Sequence, residues 1–138
     1  MALSCCLSCG AFAHAETYDG ETVRGPGALA SEFISRDGSH YEVELKRMPG
    51  RSLSLTVACD GKVIAAGTIN EGDGHNFTIH GAPVGLDIEL LDGAKCSSLA
   101  AVRIFTVNDL TGDQPKVVSW RVDFRDGALT GLFGPPPD

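Results

Sequence analysis

The dipeptide Asp-Gly recurs six times in this 138-residue chain, at 19–20, 37–38, 60–61, 73–74, 92–93 and 126–127. Both residues tolerate the positive φ angle that a two-residue hairpin turn requires, so the pair is typical of tight reversals between antiparallel strands. Between these pairs lie short runs in which apolar and polar residues alternate, which is the period of a half-buried strand. This pattern constrains the chain to a series of short strands joined by tight turns.

The alternating runs predict which side chains face the core. One run places Tyr41, Val43 and Leu45 on one face, and it places His40, Glu42, Glu44 and Lys46 on the other. The remaining runs carry their apolar residues at Leu53, Leu55, Val57 and Cys59, at Leu86, Ile88 and Leu90, and at Val118, Trp120, Val122 and Phe124. Residues 62–69 and 99–107 have apolar side chains on both faces of the strand that each segment would form. We therefore expect these two strands to be covered on both faces.

One segment, residues 27–35, fits two structures. Leu29 and Phe33 are four residues apart, which suits one face of a short helix, but the same segment also fits a strand. With about seven to nine strands and at most one short helix, the sequence predicts an all-β fold, either an antiparallel β-sandwich or a small barrel. The length suits a single domain, which we assign to residues 16–133. Three prolines cannot donate to a sheet, so residues 134–138 are expected to form a proline-rich tail.

The first fifteen residues have the features of an export signal. Residues 2–13 carry no charge, and Ala13-His14-Ala15 places small side chains at the −3 and −1 positions of a signal-peptidase site. Residues 1–15 are therefore expected to be a signal peptide that is removed, although no Lys or Arg precedes Arg24. Two alternatives fit less well: lipid attachment at Cys5 or Cys9, and a zinc knuckle at Cys6 and Cys9, which lacks a second cysteine pair. Export predicts a periplasmic or secreted protein.

Removal of the signal peptide leaves two cysteines, Cys59 and Cys96. In an oxidising compartment such a pair most simply forms one disulfide, and the alternative is two separate buried thiols. A disulfide over this sequence separation would stabilise the fold by about 4 kcal/mol in the chain-entropy model. The sequence therefore predicts a single Cys59–Cys96 disulfide.

Charge limits the partners. The formal net charge of −7 repels phosphate, so nucleic acid and anionic membrane surfaces are disfavoured, and no segment is long enough to span a membrane. One segment has the opposite charge: Lys46, Arg47, Met48 and Arg51 surround Pro49-Gly50 and predict a basic hairpin tip. Such a tip is a candidate binding site for an acidic patch or a carboxylate ligand, although hairpin tips are often charged for solubility alone.

Catalytic and metal signals are weak. The motifs G-x-S-x-G, H-E-x-x-H and the P-loop do not occur, and a catalytic site would have to assemble His40, His75 or His80 with nearby acids. Oxygen-bearing side chains at Asn108, Asp109 and Asp113, and in the loop that follows Asn70, could hold Ca²⁺, although ordinary turn chemistry explains both loops. No other cofactor is expected.

These observations favour an exported, non-enzymatic binding module, such as a protein inhibitor or a ligand-binding accessory domain. Its partner would be another protein or a small ligand, and its negative charge would steer it to basic partners. Two alternatives stay open. One is a small periplasmic hydrolase or metal-assisted enzyme, and the other is a structural or assembly subunit that pairs through an exposed sheet edge. Whether the protein is an enzyme is left undecided, and the missing motifs weigh against it.

Overall fold

The computed structural model describes residues 16–19, 21–25, 28–71, 77–91, 95–96, 99–108 and 116–134, and these form strands but no helix. The strands are β1 (Glu16–Asp19), β2 (Glu21–Gly25), β3 (Ala28–Ile34), β4 (His40–Met48), β5 (Ser52–Cys59), β6 (Lys62–Glu71), β7 (Thr78–Ile79), β8 (Ala82–Leu90), β9 (Leu99–Asn108), β10 (Lys116–Arg125) and β11 (Ala128–Phe133). The prediction of an all-β fold is confirmed. Within the described ranges, no helix is long and apolar enough to cross a membrane.

Two antiparallel meanders build one nearly closed, barrel-shaped sheet. Strands β2 to β6 follow one another in the first meander, and β8 to β11 do so in the second. The meanders join where β11 pairs in parallel with β6, at Ala128 and Ala66. At the other end of the strand order, β1 pairs with β8 while β2 pairs with β3. Since a single residue separates β1 from β2, the two ends of the sheet meet and the barrel nearly closes.

Nine strands remain when β1 and β2 are treated as one interrupted strand and the two-residue β7 is set aside. Two of the Asp-Gly pairs form the hairpin turns that the sequence predicts. Asp60 and Gly61 link β5 to β6 with φ angles of 50° and 86°, and Asp126 and Gly127 link β10 to β11 with φ angles of 52° and 81°. The pairs at 73–74 and 92–93 lie outside the described residues.

The inward faces of the strands form the core, as the alternation predicts. Tyr41, Val43 and Leu45 of β4 are at most 2% exposed. They pack with a cluster that includes Leu53, Leu55, Val57, Cys59, Leu86, Ile88, Leu90, Trp120 and Val122. Within this core, the indole Nε1 of Trp120 donates a hydrogen bond of 2.8 Å to Oγ1 of Thr106. The alternating polar residues are thereby placed on the outer surface of the barrel.

Within segment 27–35, residues Ala28–Ile34 form a strand. In β3 the buried residues are Leu29, Ser31 and Phe33, and β3 pairs with β2 on one side and β4 on the other. Residues four apart share a face in a strand as well as in a helix, which is why the spacing of Leu29 and Phe33 allowed both structures.

The expectation that β6 is covered on both faces is wrong. Ala65 and Ile69 are buried, but Val63 is 58% exposed because its side chain lies on the outer surface. Strand β9 comes closer to the expectation: Val102 and Ile104 are buried inside the barrel. Of its outward residues, Ala101 is also buried, and Arg103, Phe105 and Val107 are partly buried.

Candidate functional site

A groove of about 550 Å³ lies on the outer face of β3, β4 and β5. The outward-pointing side chains that line this groove are Ala30, Glu32, Glu42, Glu44, Thr56 and Ala58. The strand register brings these residues together, because Glu42 lies between Glu32 and Ala58 and Glu44 lies between Ala30 and Thr56. We call this feature the acidic groove.

Side-chain size gives the acidic groove its shape. Ala30, Thr56 and Ala58 are short and half-buried, so they form a low floor, whereas Glu42 and Glu44 are exposed. The glutamates point outward because their neighbours Tyr41, Val43 and Leu45 occupy the core. Residues two apart on a strand lie about 7 Å from one another, so the carboxylates of Glu42 and Glu44 flank a common space.

The electrostatics of the acidic groove are unbalanced. Glu32 and Glu42 are direct cross-strand partners, and like charges in that arrangement destabilise a sheet. Among the described residues, the basic group that contacts one of these carboxylates is His40, whose Nε2 lies 3.7 Å from Oε1 of Glu32, a side chain that is 68% exposed. Across the described ranges, no Lys or Arg forms an ion pair with Glu42 or Glu44. The acidic groove therefore carries an excess of negative charge.

The candidate histidines are placed as follows. His40 shares its outer face with Glu42 and Glu44, as the alternation predicts, but 3.7 Å to Glu32 exceeds hydrogen-bonding distance. His80 is exposed, and its ring centroid lies 5.9 Å from that of Trp120. His75 lies outside the described residues, so an arrangement that includes it stays a prediction.

The basic hairpin tip lies at one end of the barrel, between β4 and β5. Arg47 is already engaged there, because its Nη2 lies 3.3 Å from Oε2 of Glu71 on β6. Lys46 is exposed, the side chain of Met48 is 41% exposed, and Arg51 takes a positive φ of 59° in the turn. The four residues are thus close in space, and their role in binding stays a prediction.

The predicted calcium ligands are only partly described. Asn108 is the last residue of β9, and Asp109 and Asp113 lie outside the described residues. Asn70 and Glu71 end β6, but residues 72–76 of the same loop also lie outside. Binding of Ca²⁺ at either loop stays a prediction.

A second charged cluster, not anticipated from the sequence, lies on the outer face of β8, β9 and β10. Glu89 has a side chain that is only 5% exposed, and its Oε2 accepts hydrogen bonds of 2.9 Å from Arg103 and 2.6 Å from Arg121. Arg121 also donates a 2.8 Å bond to Oδ1 of Asp123. Burial raises the pKa of Glu89, but the hydrogen bonds from Arg121 and Arg103 outweigh burial, and the net shift of the pKa is downward. We call this cluster the Glu89 network.

The predicted disulfide is present between Cys59 and Cys96, whose Cα atoms are 5.6 Å apart. It links the end of β5 to the segment between β8 and β9, and so it connects the two meanders. Cys59 is 2% exposed, whereas Cys96 is partly exposed.

Comparisons of this chain with protein-family models, with curated proteins and with solved structures find no match. Proposals about function therefore have to be supported by the geometry and charge of the sites described above.

Proposed function

We propose that this chain is an exported, non-enzymatic binding module whose acidic groove holds a basic segment of a protein partner. The observation that carries the proposal is the arrangement of Glu32, Glu42 and Glu44 around a low floor of small side chains.

The chemistry of the acidic groove suits lysine and arginine side chains. Their apolar stems would lie over Ala30 and Ala58, while their charged ends would reach the carboxylates on either side. A cation held between Glu32 and Glu42 would also remove the repulsion of that cross-strand pair. Binding would therefore offset an unfavourable interaction that the unbound barrel retains.

The charge of the whole chain acts in the same direction. A formal net charge of −7 attracts basic partners from a distance and raises the rate of encounter, while the acidic groove determines where such a partner binds. Export is supported by the signal-like residues 1–15 and by the Cys59–Cys96 disulfide, since disulfides persist in oxidising compartments. A periplasmic or secreted inhibitor of a basic protein fits this description.

The test uses a double variant, Glu42→Gln with Glu44→Gln, and a fluorescently labelled peptide rich in lysine and arginine as the probe. Affinity is measured by fluorescence anisotropy at low and moderate salt. The matched control is Asp37→Asn with Asp126→Asn, which removes two negative charges from turns outside the acidic groove. Circular dichroism first checks that each variant is folded.

We expect the groove variant to bind the peptide about fivefold more weakly or worse, since two exposed ion pairs at about 0.5 kcal/mol each account for that factor. The control should lose less than about twofold, because only long-range attraction changes. Equal losses in the two variants would show that net charge alone attracts the peptide and would refute the groove as the binding site. An unchanged affinity in the groove variant would refute it as well.

A further inference from the structure

A carboxylate lies beside the Cys59–Cys96 disulfide. Oδ2 of Asp60 is 3.5 Å from Sγ of Cys96, and this carboxylate and the two sulfurs all lie within 4.8 Å of one another. A disulfide sulfur has no proton to donate, so the contact with Asp60 is not a hydrogen bond in the oxidised protein. Its geometry instead places three potential metal ligands together.

Asp60 is held rigidly in this position. Its backbone N–H donates a 2.8 Å hydrogen bond to the carbonyl oxygen of His40, and its Oδ1 accepts a 2.9 Å hydrogen bond from the backbone N–H of His40. Asp60 also has the positive φ of the Asp-Gly turn. With Oδ1 held by the backbone, Oδ2 is directed towards the sulfurs, which is how outer hydrogen bonds orient the ligands of a metal site.

A pocket of about 290 Å³ opens onto Cys96. It is lined by Ile64, Ala65, Leu99, Phe124, Asp126 and Gly127 in addition to Cys96. A small reductant can enter this space, and after reduction a water molecule can occupy it. Cys96 is partly exposed and lines this pocket, whereas Cys59 is buried, so Cys96 is the cysteine open to attack.

We propose that reduction of this disulfide creates a Zn²⁺ site whose protein ligands are the sulfurs of Cys59 and Cys96 and Oδ2 of Asp60. A dithiol reductant transfers two electrons and two protons to the disulfide and is itself oxidised to a cyclic disulfide, which leaves two thiols. Zn²⁺ then displaces the two thiol protons and binds both thiolates and the carboxylate. A water molecule from the pocket supplies the fourth ligand.

The distances suit zinc. Tetrahedral Zn²⁺ with bonds of about 2.3 Å to sulfur and about 2.1 Å to oxygen holds a sulfur and an oxygen about 3.6 Å apart. The distance between Cys96 Sγ and Asp60 Oδ2 is 3.5 Å before any metal binds. Once the disulfide is broken, the two sulfurs have to separate to about 3.8 Å, which is the sulfur–sulfur distance that tetrahedral Zn²⁺ with these bonds imposes. Two thiolates with one carboxylate are a ligand set that Zn²⁺ accepts readily.

The same two sulfurs serve the disulfide and the metal, so the two states exclude each other. Oxidation would release Zn²⁺, and bound Zn²⁺ would protect the thiols from oxidation. Reduced protein should therefore bind the metal and oxidised protein should not.

The test uses the chain with Cys5→Ser, Cys6→Ser and Cys9→Ser, so that Cys59 and Cys96 are its only cysteines. It compares the oxidised form with the form reduced by a dithiol and then separated from the reductant without oxygen. Zn²⁺ binding is measured by competition with a chromophoric chelator, and Co²⁺ is used in parallel because its thiolate complexes absorb in the near ultraviolet. Asp60→Asn is the ligand variant, since Asn keeps the backbone hydrogen bond and tolerates the positive φ. Asp126→Asn is the matched control, because Asp126 occupies the same kind of Asp-Gly turn and lines the pocket that opens onto Cys96.

We expect the reduced protein to bind one Zn²⁺ and to show the cobalt–thiolate absorption, and the oxidised protein to show neither. Asp60→Asn should lower the affinity about tenfold or more, since even outer-shell partners of metal sites contribute about 10–100-fold. An equal loss in Asp126→Asn, or binding by the oxidised protein, would overturn the assignment.

Loss of the disulfide destabilises the chain, so melting curves of the reduced protein are recorded with and without Zn²⁺. A higher melting temperature with Zn²⁺, absent in Asp60→Asn, supports the site. Reduced protein that neither binds Zn²⁺ nor melts at a higher temperature in its presence would refute it.

Discussion

Substitution of Glu89 by Gln removes the negative charge at the centre of the Glu89 network. The carboxylate accepts hydrogen bonds from Arg103 and Arg121, and a hydrogen bond to a charged group contributes about 1.5–3 kcal/mol. Both arginine side chains are 39% exposed, so water can replace part of the hydrogen bonding to Glu89 that they lose in the variant. The combined contribution of the two hydrogen bonds to stability must be reduced accordingly. We therefore expect Glu89→Gln to lower the free energy of unfolding by about 2 kcal/mol.

Urea denaturation at neutral pH measures this loss. An m-value of about 1–3 kcal/mol per molar converts a loss of about 2 kcal/mol into a midpoint lower by about 1 M, with the m-value itself unchanged. The matched control is Asp123→Asn, which removes a carboxylate that is 34% exposed and that, among the described residues, is bonded only to Arg121. An exposed pair of this kind contributes less than about 1 kcal/mol, so the control should shift the midpoint much less.

Acidification gives a second readout, and its sign follows from the pKa. The pKa of Glu89 is lowered in the folded protein because the arginine hydrogen bonds outweigh burial. Its contribution to stability is therefore complete above the unfolded pKa of about 4.3 and is lost as the pH falls through the folded pKa. The difference in the free energy of unfolding between the wild type and Glu89→Gln should become smaller below about pH 4. A gap that persists unchanged in acid, or a midpoint shift no larger than that of Asp123→Asn, would refute this reasoning.

Three further outcomes follow from single contacts. A Cβ added at Gly67 would lie 2.5 Å from Cβ of Leu129, so Gly67→Ala should force β11 away from β6 and cost about 1–3 kcal/mol in urea unfolding. Thr106→Val would leave the buried indole N–H of Trp120 without its acceptor, and the same assay should show a loss of about 1–3 kcal/mol. Hydrogen bonds from Ser35 and Ser39 lower the pKa of Asp37 to about 2. The stability that this carboxylate adds is therefore complete above its ordinary pKa, and it is lost as the pH falls towards about 2. Melting temperatures recorded from pH 5 down to about pH 2 should fall more steeply for the wild type than for Asp37→Asn.

Several features could be predicted because they depend on neighbours in the sequence. The inward faces of β4 and β5 follow from the alternation of apolar residues, and the turns at 60–61 and 126–127 follow from the conformational freedom of Asp-Gly. The Cys59–Cys96 disulfide followed from counting cysteines once residues 1–15 were set aside. In contrast, the exposure of Val63 could not be read from an apolar run, because the sequence does not show what covers the outer face of β6.

The candidate sites, like the exposure of Val63, depend on the tertiary structure and could not be predicted from neighbours in the sequence. The sequence by itself determined that Glu42 and Glu44 point outward, but only the register of β3 with β4 placed Glu32 opposite Glu42 and so formed the acidic groove. The alternation could not show that Glu89 would be buried between two arginines from neighbouring strands.

The same distinction holds at the disulfide, where adjacency in the sequence joins Asp60 to Cys59 but only the fold brings Asp60 next to Cys96. The physical reason is that alternation and turn preference are local properties of the backbone. Register, closure of the barrel and proximity across strands depend instead on hydrogen bonds between segments that are distant in the sequence.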